Sequence, residues 1–403
     1  ELRKSLETAS VALRRFVRDS QAGADEPDTG PLRMARQQLH QAVGALEMVG
    51  LAAPAQVLRA MECAVQAFAD KPALCTEPAA LRVERAGFAV AEFLGSVLLG
   101  KSPSAVALFP QYREVQALWG ADRVHPADLW PVDWAWHEPR VPATGPAGEA
   151  RAPLALAYAP PVRSRMDQAV LRIVKSGDAA AAGEMAEVCA GLAAGESFRE
   201  PRSFWLLAAG FFEAIAAGLL PADVYVKRAA SRVLLQYAQL AKGENLVSER
   251  LAQDLAFFCA QAVPPAVPGS PGASVSRVPR LAAVREAWHL ERHVPVDYEH
   301  APFGRFDPAL LAQVRKRLAG AREGWSALSA GETGKARHTS EQFAQLCEAL
   351  TRLHEPLVPL SRALARVAEF TLSPGETPSP GLAMETATAI LFLEATAQVY
   401  QGN

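Results

Sequence analysis

Apolar residues recur three and four positions apart along most of this chain, the period of an α-helix with one buried face. Between Pro31 and Val49, for example, Leu32, Ala35, Leu39, Ala42, Val43, Leu46 and Val49 fall on one stripe. Strict alternation, the mark of a half-buried strand, is nearly absent, and the periodic stretches are rich in Ala, Leu, Glu and Arg. The pattern predicts helices near Leu2–Arg18, Pro31–Val49, Pro54–Ala69, Pro78–Leu99 and Pro103–Leu118, four of them starting at or beside a proline. A second set is predicted near Ser164–Ser176, Ala179–Ala194, Phe204–Ala217, Ala222–Ala241 and Ser248–Ala262. A third falls near Leu281–His293, Pro308–Ala330, Ser340–His354, Leu357–Phe370 and Met384–Tyr400.

Stretches rich in Pro and Gly at 139–161 and 264–279 read as linkers, so the expected modules are 1–138, 162–263 and 280–403. Each is expected to be an antiparallel bundle, because the connections between helices are short. A weak internal repeat supports this plan. Gly44-Ala45-Leu46-Glu47 aligns with Gly210-Phe211-Phe212-Glu213, placing His40 over Leu206, and a looser register lays His40 over Cys347.

Composition narrows the class. The 403 residues are 50% hydrophobic and 21% charged, as in a folded water-soluble chain, and exceed one ordinary core. A net charge of -2 provides no field that would draw nucleic acid or acidic lipid. Arg, Glu or Pro interrupts every apolar run before it is long enough to span a bilayer. The chain opens on Glu1 with nothing like a signal peptide, which reads as a fragment of a longer polypeptide. Cys63, Cys75, Cys189, Cys259 and Cys347 are scattered, odd in number and mostly among apolar neighbours. They read as small buried residues of a reducing compartment, the cytoplasm.

Chemistry enters at His40. It lies beside the apolar stripe of its helix, on a strip shared with Arg33, Arg36, Gln37, Gly44 and Glu47, and is expected to be exposed. A helical side chain leans over the residue four positions before it, so Gly44 leaves the imidazole uncovered. Glycine inside a helix costs about 1 kcal/mol against alanine and wants a reason. Glu62, on the next helix, is placed to face His40, holding one ring nitrogen protonated and leaving the other nucleophilic. This is the outline of a histidine phosphotransfer (Hpt) module, although Val43 stands where that pattern usually has lysine. The alternative is an ordinary surface histidine beside a packing glycine.

The segment Leu39-His40-Gln41-Ala42-Val43-Gly44-Ala45-Leu46-Glu47-Met48-Val49, together with Leu108-Phe109-Pro110, Trp205 to Glu213, and Leu382 to Leu391, carries a family likeness. The chain resembles the N-terminal region of the CheA-like hybrid histidine kinases of type IV pili and twitching motility (the ChpA/PilL family). It also resembles their short pseudo-Hpt relatives of the FimL type. The resemblance implies an all-α protein of tandem Hpt-type bundles, the second and third degenerate, in a cytoplasmic two-component chemosensory phosphorelay. It further implies receiver domains or pilus-system scaffold proteins as partners, downstream kinase domains in the same polypeptide, and recruitment to the cell pole. The kinase core of such proteins is absent from these residues, so whether the chain is an enzyme stays open. The leading expectation is a signalling and interaction region, with active phosphotransfer as the alternative. There His40 is acceptor, Glu62 orients the ring and Gly44 gives access. No cofactor or metal is expected.

Three further signals carry less. Gly95-Ser96-Val97-Leu98-Leu99-Gly100-Lys101-Ser102 spells a P-loop, but it ends an apolar helix instead of opening one after a strand. His289, His293 and His300 suggest metal, yet HLERH is not HExxH and Pro295 stops the helix. Trp119, Trp130, Trp134 and Trp136, near Tyr112, read as an irregular tail strapped across the first bundle, with a docking surface as the alternative.

Overall fold

The computed structural model describes residues 2–22, 28–141, 153–264, 278–353, 357–371 and 378–399. They hold fifteen α-helices and no strand, so the chain is all-α as expected. Two compact units emerge: residues 1–129 with 298–403, and residues 130–297.

The first unit begins with α1 (Leu2–Gln21), α2 (Gly30–Met48), α3 (Ala52–Asp70) and α4 (Glu77–Leu98), which close a four-helix ring. A shorter α5 (Phe109–Trp119) lies on α3 and α4. The ring forms because each helix carries one apolar stripe, with Leu13, Phe16, Leu39, Leu58, Phe68 and Val90 all buried within it. Thr76 starts α4 by accepting the Ala79 amide, and Pro31, Pro78 and Pro110 occupy first turns where no amide proton is missed. The helix expected from Pro103 starts later: a 3-10 turn at Ala105–Leu108 precedes α5.

The same unit continues with α12 (Pro308–Ser329), α13 (Ala336–Leu353), α14 (Val358–Thr371) and α15 (Pro380–Val399) around a second core that includes Val314, Leu318, Trp325, Phe343 and Leu350. Residues 298–306 fasten this part to α4 and α5. Phe303 packs edge-on against Phe93, its carbonyl accepts from Gln111, and the Gly304 amide donates to Glu92 at 3.0 Å. Gly304 has φ +71°, and a Cβ there would sit 2.6 Å from the Arg85 carbonyl oxygen, so only glycine fits this approach.

The second unit contains α6 (Pro160–Ser176), α7 (Ala179–Gly195), α8 (Arg199–Ala216), α9 (Val224–Leu240), α10 (Glu249–Gln261) and α11 (Pro279–Ala287). Asp178, Asp223 and Ser248 cap α7, α9 and α10 through their side chains. Its core is aromatic: Phe204, Trp205, Phe211, Phe212, Phe257 and Phe258 are all fully buried. Trp130, Trp134 and Trp136 belong here too, which corrects the expectation of a strap across the first bundle. Trp134 stacks on Trp288 with ring centres 5.8 Å apart, and Trp130 packs on Phe257 and His293. The reason is a shared apolar socket built by α10 and the end of α11.

Helix α11 also departs from its expected course. It ends at Ala287, not His293, because His289 turns left-handed with φ 53°. It packs on α8, within the second unit, although the periodicity had assigned it to a third module. Two charges anchor it. Glu213 of α8 accepts the Leu281 amide at 2.8 Å, and burial pushes that carboxyl up from its ordinary pKa. Arg285, itself buried, donates to the carbonyls of Cys259, Ala260 and Ala262 at the end of α10, positions that the helix leaves without partners. Arg285→Met keeps much of the side chain's bulk and removes every donor. It is expected to destabilise the protein by about 2–4 kcal/mol, read as a lowered denaturant midpoint. A shift below about 0.5 kcal/mol would show that those carbonyls need no partner.

Candidate functional site

Helices α2 and α3 are joined by only three residues, 49–51, and run antiparallel. Their polar contacts prove the register, since numbers fall on α3 as they rise on α2. Arg36 donates to Gln66, His40 meets Glu62, and Glu47 pairs with Arg59. Beneath these pairs Leu32, Ala35, Leu39, Ala42, Val43 and Leu46 are buried. The expected stripe holds except at its last residue, where Val49 is 67% exposed beyond the end of α2.

His40 lies beside this stripe with its side chain 75% exposed. Its Nδ1 is 3.1 Å from Oε1 of Glu62, whose side chain is only 20% exposed. An ionised carboxylate accepts and cannot donate, so the contact is satisfied when Nδ1 carries the proton. Nε2 then presents a free lone pair, the tautomer a nucleophilic imidazole needs. A Cβ at Gly44 would meet nothing within 4 Å, so this glycine packs against no neighbour. That removes the packing explanation for it and leaves open space beside His40. Val43, by contrast, is a core residue.

A groove follows the α2–α3 seam past His40, with Trp119 of α5 at its margin. Arg36 and Arg59 are the cations in its lining, and Gln66 is held by Asp70 at 2.7 Å. Cys63 also lines it; desolvation, then the neighbouring Glu62 charge, raise its thiol pKa, which keeps it protonated at neutral pH. The groove's candidate nucleophile is therefore the imidazole. Sequence reading missed Arg36, Arg59 and Gln66 as a set, because only the observed register places them across the seam.

The remaining signals fall elsewhere. The P-loop spelling begins in the last turn of α4 and runs past its end, where Gly100 at φ +77° closes the helix, so it follows a helix instead of opening one. His289 and His293 flank a 3-10 turn, not one helical face, and Trp130 donates to His293 Nδ1 at 3.4 Å. Desolvation lowers the His293 pKa, followed by the nearby Arg285 charge. Among the described residues no cluster of His, Cys, Asp and Glu could hold a metal ion, and no helix is long and apolar enough to cross a membrane. The glycines aligned by the internal repeat have opposite surroundings. Gly44 is open, whereas a Cβ at Gly210 would lie 2.8 Å from Val284 Cγ2 of α11.

Residues 151–301 match the family model of the FimL scaffold protein second domain. The middle of this chain is thus similar to a scaffold domain, and the match covers the second structural unit except residues 130–150. No curated protein and no solved structure matches the chain.

Because Gly44 has free space and sits in mid-helix, Gly44→Ala is expected to raise stability by about 0.5–1 kcal/mol. Urea denaturation measures this. A loss of stability would mean that the glycine serves packing after all.

Proposed function

We propose that this chain is a protein-interaction scaffold within a type IV pilus chemosensory system, on the two-component side of twitching motility. The observation that carries the reading is the match of residues 151–301 to the second domain of a FimL scaffold protein. The resemblance of the other helical segments to the same group of proteins supports it. Partners on this reading are receiver domains or pilus-system scaffold proteins, recruited in the cytoplasm and at the cell pole. They dock on helix faces, in bundles of Hpt type whose second and third copies lack the histidine. Mixing purified chain with such partners and following complex formation by size-exclusion chromatography tests this. A stable complex is expected, and failure of all of them to bind would contradict the scaffold.

A second reading has its own observation. The 3.1 Å contact from His40 Nδ1 to Glu62, on a solvent-facing imidazole beside an uncovered glycine, favours a phosphoryl acceptor. In that role Nε2 attacks the phosphorus of a donor, the donor bond breaks, and Glu62 stabilises the Nδ1–H of the resulting imidazolium. Receiver domains would then take the group onward. Incubation with a CheA-like kinase core and ATP is expected to place acid-labile, base-stable label on the chain and none on His40→Gln. Glu62→Gln should label about tenfold more slowly, since the amide supports the cation less. Equal labelling of wild type and His40→Gln would refute this reading.

A further inference from the structure

A phosphoryl group on an imidazole carries close to two negative charges at neutral pH and needs a cation nearby. Val43, where the Hpt pattern has lysine, is buried and apolar. The groove nevertheless holds two guanidinium groups, those of Arg36 and Arg59. The register separates them. Arg36 precedes His40 by one turn and donates to the neutral amide of Gln66 across the seam. Arg59 lies on α3 one turn before Glu62, reaches Glu47 across the seam, and lines the same groove as His40 and Gly44.

Resting on the phosphoacceptor reading of His40, we infer that Arg59 is the counter-cation of a phosphoryl group on His40 Nε2, and that Glu47 holds it in waiting. In the unphosphorylated state Arg59 pairs with Glu47 across the seam, their side chains 51% and 42% exposed. Exposed pairs of this kind are worth about 1 kcal/mol or less, so the guanidinium is released easily. A dianionic phosphoryl group one turn away presents more charge and three accepting oxygens, which suit the planar, two-pronged donors of arginine. The cation that the pattern places three residues after the histidine is thus supplied from the facing helix. In the reaction Arg59 moves no proton. Nε2 bonds to phosphorus, the leaving group departs with the electron pair of the broken bond, and the Nδ1 proton stays opposite Glu62.

Phosphoramidate tests this without a kinase, because attack by Nε2 breaks its phosphorus–nitrogen bond and releases ammonia. The full chain is incubated with phosphoramidate and followed by phosphorus NMR, beside His40→Gln, Arg59→Gln, Arg59→Lys and Glu47→Gln. Wild type is expected to give a phosphohistidine signal that His40→Gln lacks. Arg59→Gln should slow its formation about tenfold and move the pH titration of the phosphoryl resonance upward, with Arg59→Lys restoring part of both. Glu47→Gln, which frees the guanidinium, should speed formation about threefold. A wild-type signal with the same rate and titration in Arg59→Gln would overturn the Arg59 assignment and leave His40 standing. No signal on wild type would remove both.

Discussion

The antiparallel pairing of α2 with α3 is the constraint on which the candidate site depends. Burial of Leu32, Ala35, Leu39, Ala42, Val43 and Leu46 within the bundle, where α2 packs on both α1 and α3, fixes the rotation of α2 about its axis. Once that rotation is set, His40, Gly44 and Glu47 must come out on the neighbouring strip, and α3 must answer with Gln66, Glu62 and Arg59. The hydrophobic effect therefore does the positioning, and the polar contacts read out the result. A weak exposed hydrogen bond between His40 and Glu62 could not order two helices, but it can choose a tautomer once the helices are ordered.

The second unit uses burial differently. There the end of α10 is closed by a buried arginine of α11 and the start of α11 by a largely buried carboxylate of α8, so α11 is tied to both through backbone groups rather than through apolar contact alone. Its glycine at position 210 is covered by α11, where Gly44 is bare. The two aligned glycines thus have opposite surroundings: one is covered within its unit and the other is open.

Much of this was legible in the sequence. Helical periodicity placed nearly every helix, and the stripe on α2 foretold which side of it His40 would occupy, because a period of 3.6 residues leaves little freedom. Local signals failed where tertiary contacts decide. The end of α11 at Ala287 depends on a left-handed His289, and the placement of Trp130, Trp134 and Trp136 depends on the socket around Trp288. The start of α5 was delayed by a 3-10 turn that shares the apolar pattern of a helix. Arg285 and Arg59 were invisible for the same reason: each acts on a group that is distant in sequence, and no spacing rule marks a residue whose partner is set by helix register.

The central claim is that Glu62 holds the His40 imidazole with its proton on Nδ1 and its lone pair on Nε2. Nitrogen-15 NMR of the full chain with labelled histidine reads the tautomer directly, through the couplings of the ring carbon protons to each nitrogen. The account predicts that His40, once deprotonated, is the Nδ1–H tautomer, and that Glu62→Ala returns it to the Nε2–H form usual for a free imidazole. A His40 found as the Nε2–H tautomer in the wild-type chain would contradict it.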